Sequence, residues 1–347
     1  MKKIAIIIGA RPQFIKHAAL EIALREDFNV ITIHTGQHYD KNMSDIFFNE
    51  LSIAQPTHML NIRSGDHGDQ TGRMMIKIEE ILKVEIPDMV IVYGDTNSTL
   101  AGALVASKLD IPVAHVEAGL RSFNKAMPEE INRILTDHVS NILFCPTETA
   151  LNNLKQENIV VNCHIVGDVM VDMIRIAKEN NVLSNTSIEP YYFCTIHRPY
   201  NTDNAKQLLS IINALNALKF RVKFLVHPRT LNKLKDNEIN LNNYQNIDFL
   251  NPMSYFECLQ LQNDSILIIT DSGGIQKEAY LLNKMCITIR SETEWVETIN
   301  ARWNTLVFDE LDTLSEVVKL EKPKEHPDFY GDGYASYRIK EILQTLI

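Results

Sequence analysis

The chain has 347 residues, with 34 Lys or Arg against 44 Asp or Glu and a net charge of −10. That balance excludes nucleic acid as the main partner, because neutralising phosphates needs a basic face. A composition of 45% hydrophobic and 22% charged residues excludes disorder and fibrous structure.

The N-terminal MKKIAIII passes into Gly9-Ala10-Arg11-Pro12 without a small-residue cleavage site. It reads as the buried first strand of a cytoplasmic protein. From there, short runs rich in Val and Ile alternate with longer amphipathic stretches, the pattern of a parallel sheet covered by helices, so the fold class is α/β. Strands are expected at about 3–8, 29–34, 89–93, 112–116, 142–145 and 163–166, and then near 191–195, 223–226, 247–250, 266–270 and 285–289. The length suggests two domains, 1–168 and 169–331, joined where a helical stretch from Val169 to Ala177 leads into the polar segment Glu179–Pro190. The tail 332–347 reads as an amphipathic helix with Ile339, Ile342 and Leu343 on one face, free to dock on either half. No apolar run reaches the about 18–20 residues of a membrane span, so no membrane is expected. The cysteines Cys145, Cys163, Cys194, Cys258 and Cys286 are odd in number and widely spaced, with no Cys-x-x-Cys pair, and read as buried thiols.

In an open α/β sheet the ligand sits outside the carboxyl ends of the strands. After the first strand, Gly9-Ala10-Arg11-Pro12-Gln13-Phe14-Ile15-Lys16 is a glycine turn feeding a helix, with N–H groups for an anion and two cations, Arg11 and Lys16, beside it. It is neither a Walker A loop nor a G-x-G-x-x-G turn. Later strand ends carry Tyr93-Gly94-Asp95-Thr96 and His115-Val116-Glu117-Ala118-Gly119, and Pro128-Glu129-Glu130-Ile131-Asn132-Arg133 opens the next helix. Asp95, Glu117 and Glu129 can converge as acid/base carboxylates. Taken singly they also suit plainer roles, with Asp95 as a helix cap and Glu129 and Glu130 complementing a helix dipole.

The second half places His197-Arg198 after its first strand and His227-Pro228-Arg229 after its second, where a phosphate or a proton is handled. Its strongest signal is Thr270-Asp271-Ser272-Gly273-Gly274, a strand opening into a helix N-terminus suited to a diphosphate, with Glu278 one turn on for ribose hydroxyls. The residues alone describe an enzyme that holds a diphosphate-bearing ligand with Arg11, Lys16, His197 and the Ser272–Gly274 turn and acts on it with carboxylates. No metal is called for, since no HExxH or Asp-x-Asp pattern occurs.

The segments GARPQFIK, TGQHYD, SGDHGDQTGRM, YGDTNSTLAGAL, HVEAGLRS, MPEEINR, FCPTE, HRPYN, HPRT, TDSGGIQKEA and YGDGYAS resemble, in order and spacing, the non-hydrolysing UDP-N-acetylglucosamine 2-epimerase family. The resemblance covers nearly the whole chain. It implies a GT-B fold, two Rossmann-like domains facing a central cleft, and inversion at C2 of a UDP-sugar through an enzyme-held glycal, with no cofactor. Asp95, Glu117 and Glu129 are then the catalytic carboxylates and His197 assists. Arg11, Lys16, Ser272, Gly273 and Gly274 would hold the diphosphate and Glu278 the ribose, with Arg133, Arg198 and His227 also facing substrate. A cytoplasmic homodimer serving surface polysaccharide synthesis is implied. Two departures stand out. Tyr200 replaces the Glu of the family's His-Arg-x-Glu-Asn, and Thr293-Glu294-Trp295-Val296-Glu297 replaces Thr-Glu-Arg-Pro-Glu, closer to relatives acting on UDP-2,3-diacetamido-uronic acids. The loop Gln37-His38-Tyr39-Asp40 differs from the version that contacts an activating second UDP-GlcNAc. A GT-B glycosyltransferase is the alternative from another class.

Overall fold

The computed structural model describes the whole chain except residues 38–49, 51–52, 63–64 and 185–188 and the side chain of Arg11. The expected His38-Tyr39-Asp40 loop therefore lies outside the described residues. Seven strands form the first sheet: β1 (Lys3–Ile8), β2 (Asn29–His34), β3 (His58–Met59), β4 (Met89–Tyr93), β5 (Val113–Val116), β6 (Ile142–Cys145) and β7 (Cys163–Ile165). Their order is β3-β2-β1-β4-β5-β6-β7 and every pair is parallel. Ile4–Ile8 and Met89–Tyr93 are buried residue after residue because helices cover both faces of the sheet. Gly102 lets the helix Asn97–Lys108 press directly on Ile7 of β1 and Val92 of β4.

The second sheet holds β8 (Tyr191–Thr195), β9 (Arg221–Leu225), β10 (Ile247–Leu250), β11 (Leu267–Thr270), β12 (Met285–Thr288) and β13 (Asn304–Leu306). Its order, β10-β9-β8-β11-β12-β13, repeats that of the first six strands, again all parallel. In each sheet the winding direction reverses at the centre, between β1 and β4 and between β8 and β11. That reversal opens the crevice where Rossmann-type sheets take ligands. Every strand expected from the sequence is present. The short β3 and β13 were not foreseen, because two or three residues are too few to show a period.

The chain packs as two units, Met1–Ile176 with Asp328–Ile347, and Ala177–Pro327. The dividing point falls inside the helix Val169–Glu179 instead of after Asp168. The reason is stitching by the C-terminal segment. The Asp168 N–H donates to the Tyr330 carbonyl at 2.8 Å, and the Asp172 carboxylate accepts from the Ala335 and Ser336 N–H groups at 3.1 and 2.8 Å. The closing helix Ala335–Leu346 then buries Ile339 and Leu343 in the first unit. Among the described residues, no helix is long and apolar enough to cross a membrane.

Candidate active site

At the first reversal point, the turn after β1 does not keep its N–H groups open. Gln13 Oε1 accepts from the Gly9 and Ala10 N–H groups at 2.8 and 3.0 Å, Pro12 has none, and the Gln13 N–H donates to the Ala10 carbonyl at 2.9 Å. The anion seat expected from this turn is thus largely filled by the protein's own amide. Gln13 Nε2 donates to the Tyr93 carbonyl at 2.9 Å and to the Thr96 and Thr99 hydroxyls at 3.0 Å each, which ties the β1 turn to the β4 turn. Gly9 is obligatory here, since a Cβ would collide with the Thr35 and Ser98 hydroxyls.

Two carboxylates flank this clamp, each paired with a buried cation. Lys16 Nζ is bonded to Glu117 Oε2, and Arg133 Nη2 to Asp95 Oδ2. Asp95 is not the helix cap; Thr96 is, accepting the Thr99 N–H at 3.3 Å. Gly94 brings the pairs together, for a Cβ on it would stand 3.2 Å from Glu117 Oε2 and 3.5 Å from Lys16 Nζ. Glu117 itself has φ +72°, the left-handed region that a side chain enters at a cost of about 1–3 kcal/mol. Such strain persists where surrounding bonds hold it, and here the Glu117 and Ala118 N–H groups both donate to the Phe144 carbonyl at 3.1 Å.

The helix Pro128–Val139 supplies the rest. Asn132 Nδ2 donates to the Asp95 carbonyl at 2.9 Å and to Asn97 Oδ1 at 3.1 Å. Glu129, half-buried, lies three and four residues before Asn132 and Arg133, so it shares their helix face. Glu130, which the sequence did not separate from Glu129, turns inward. It accepts from Ser122 N, Ser122 Oγ, Phe123 N and Arg133 Nη1 at 2.9, 3.0, 2.8 and 3.1 Å and pins the preceding loop. Beneath these loops runs a chain of polar side chains, His115, Asp137, Arg121 and the partly exposed Glu157. Burial opposes charge on Asp137, but His115 and Arg121 outweigh it and hold the carboxyl below its usual range.

At the second reversal point Asp271, fully buried after β11, was missed by motif reading although it stands beside the Ser-Gly-Gly turn. Its carboxylate accepts from the N–H groups of His197 and Arg198 at 3.0 and 2.9 Å and from Asn201 Nδ2 at 3.0 Å, fixing the turn after β8. The His197 ring lies 3.4 Å from Asp271 through Nδ1 and packs on His227 with ring centres 5.2 Å apart. Ser272 occupies the N-cap of the helix Gly273–Leu281 without spending its hydroxyl on the cap. The N–H groups of Gly273 and Gly274, in the first turn, have no carbonyl behind them in the helix. A Cβ on Gly273 would strike the Glu294 carboxylate, itself 3.1 Å from Arg290, while one on Gly274 would meet only the Ser272 hydroxyl, at 3.9 Å. Glu278 is buried and accepts from Gln262 Nε2 at 2.6 Å. The Arg229 guanidinium pairs with Asp203 at 2.6 Å on an exposed face, while its N–H donates to His227 Nδ1 at 3.2 Å. Tyr200 packs edge-on against Phe308, and burial pushes its hydroxyl up to about 12. Lys277 lies over the Trp295 ring at 4.3 Å, in the segment that departs from the family pattern.

Two parallel sheets of one strand order, each with a polar cluster at its reversal point, define a double-Rossmann α/β protein with ligand crevices at both. Comparison with known proteins takes this further. The family model described as UDP-N-acetylglucosamine 2-epimerase matches residues 20–344. A UDP-N-acetylglucosamine 2-epimerase homolog of Methanococcus maripaludis is 50% identical, the alignment covering 99% of this chain and 100% of that one. A UDP-2,3-diacetamido-2,3-dideoxy-D-glucuronate 2-epimerase of Pseudomonas aeruginosa is 46% identical over 99% of this chain and 100% of its own. The crystal structure of Methanocaldococcus jannaschii UDP-GlcNAc 2-epimerase in complex with UDP-GlcNAc and UDP matches with a TM-score of 0.90 at 43% identity, over 99% of each chain. The chain belongs to the UDP-N-acetylglucosamine 2-epimerase family, isomerases acting on nucleotide sugars, and its fold class is GT-B.

Proposed function

We propose that the protein is a non-hydrolysing UDP-N-acetylglucosamine 2-epimerase, interconverting UDP-GlcNAc and UDP-ManNAc for surface polysaccharide synthesis. The observation that carries this reading is the pairing of Asp95 with Arg133 and Glu117 with Lys16 at one reversal point, in a chain whose relatives are 2-epimerases along their whole length. A proton on C2 is a weak acid, so its removal must be coupled to departure of UDP. The C2–H and C1–O bonds break, a C1=C2 double bond forms, and the proton passes to a carboxylate while UDP leaves as the diphosphate. Return of a proton to the other face of C2 and of UDP oxygen to C1 completes the inversion without any change of oxidation state. Asp95, Glu117 and Glu129 serve the proton steps, worth typically about 10²–10⁴-fold. Ser272, Gly273, Gly274 and His197 take the diphosphate, with Arg198 and His227 alongside, and Glu278 takes the ribose.

A second reading, the same chemistry on a UDP-2,3-diacetamido-uronic acid, is favoured by the 46% identical relative of that name and by Trp295 in place of the family's Arg. Proton NMR of the enzyme with each sugar nucleotide in deuterated water decides between them. Deuterium entering C2 of UDP-GlcNAc supports the first; uptake only into the uronic acid selects the second, and accumulation of free UDP with turnover rejects both. The reading includes a cytoplasmic homodimer, as the family resemblance implies. A monomer mass by light scattering would remove the dimer from it.

A further inference from the structure

His115 is fully buried in β5, and both of its ring nitrogens face oxygen atoms. Nδ1 lies 2.7 Å from Asp137 Oδ1 and Nε2 lies 2.7 Å from the Gly94 carbonyl oxygen. A peptide carbonyl can only accept. Asp137 only accepts as well, because Arg121, bonded to its other oxygen at 2.7 Å beside the Gly119 N–H at 3.1 Å, helps hold the carboxyl in its ionised form. A neutral imidazole carries one N–H and would set a bare nitrogen lone pair against an oxygen lone pair in a buried place. The surrounding charges balance a second proton. Asp137 sits between His115 and Arg121, and Arg121 reaches on to Glu157 at 2.7 and 2.8 Å.

We infer that His115 is held as a two-donor imidazolium and is the positioning residue for the two loops that carry Asp95 and Glu117. One nitrogen fixes the Gly94 carbonyl, immediately before Asp95. The other acts through Asp137 on the Gly119 N–H, just after Glu117. These loops need such holding, because Gly94, Glu117 and Gly119 have φ of +60°, +72° and +82°, three left-handed residues within two short turns. The ring touches no substrate; it sets where two carboxylates stand, and a shift of about 1 Å in such groups costs about 10²-fold in rate. The inference rests on the proposed roles of Asp95 and Glu117.

The test has two arms. In wild-type protein carrying 15N-labelled histidine, residue-assigned ring correlations of His115 are expected to show both nitrogens protonated at neutral pH; one protonated and one bare nitrogen overturns the inference. In His115→Gln, whose side chain cannot donate to both oxygens, C2 deuterium exchange is expected to fall about 10²-fold in kcat with little change in KM. UDP affinity by calorimetry is expected to stay within about twofold, as its proposed seat lies in the other unit. Undiminished exchange overturns the positioning role, and so does loss of UDP binding together with exchange. If the wild type exchanges C2 of neither sugar, the proposed function fails, and the ring-nitrogen pattern still decides the state of His115.

Discussion

The two sheets share one strand order, yet their reversal points are furnished in opposite ways. In the first unit the helix N-terminus is closed by Gln13, and the polar side chains are carboxylates locked to buried cations. In the second unit Asp271 holds the β8 turn, while the helix after β11 begins with two glycines and an uncommitted serine. A filled helix start beside ion-paired carboxylates suits proton transfer. An open one suits a phosphate. The topology supplies a crevice, and the residues in the first turn decide what it is for.

Each half of that contrast can be broken. The largest effect is expected from Glu117→Gln, which keeps shape and removes the base and the partner of Lys16: kcat for C2 exchange should drop about 10²–10⁴-fold with UDP affinity retained. Should Glu117→Gln, Asp95→Asn and Glu129→Gln all turn over like wild type, the carboxylate side of the comparison is wrong. Next comes Gln13→Leu, which strands the Gly9 and Ala10 donors at a cost of about 1–3 kcal/mol each; denaturant unfolding should show the loss, and an unchanged midpoint would mean the clamp is idle. Gly273→Ala drives a methyl into the Glu294 carboxylate at the proposed phosphate seat, and we expect UDP affinity by calorimetry to weaken about tenfold, or about 1.4 kcal/mol, with kcat nearly kept. An equal loss in kcat would blur the division of labour.

The most gradual effect is one of pH. Burial lowers His17 from 6.5 to about 3 and His34 from 6.5 to about 4, and both lie in the first unit. Between those values and 6.5 the unfolded chain binds protons that the folded chain refuses, so stability rises with pH across that window. The contribution is complete above 6.5 and is lost as the pH falls, at up to about 1.4 kcal/mol per pH unit for each histidine. Thermal melts from pH 7 to about 4 should show this slope, and His17→Gln should flatten it. A wild-type slope that His17→Gln leaves unchanged would show that His17 is not the group that the fold keeps from its proton.

Much of the fold was readable in advance. Buried parallel strands are written as unbroken apolar runs, and the residues right after each run are where such sheets place their chemistry. Asp95, Glu117, His197 and Ser272 were proposed that way. What stayed hidden depends on direction. Glu129 and Glu130 are adjacent letters, but one helical step of about 100° sends Glu130 inward to Arg133 and the Ser122 backbone and leaves Glu129 half-buried. Gln13 reads as an ordinary helix residue until its amide is seen to bridge two turns, and Arg229 reads as a ligand cation until it is found on Asp203.

By itself the sequence determined the class, the strand succession and the family, because these rest on periodicities and motifs carried by contiguous residues. Only the tertiary structure decided which carboxylate meets which cation, that the tail 332–347 closes the first unit, and that both ring nitrogens of His115 face oxygens. Those outcomes join residues far apart in the chain, and the strength of a hydrogen bond or an ion pair depends on ångströms of separation and on burial, neither of which is a property of any one segment.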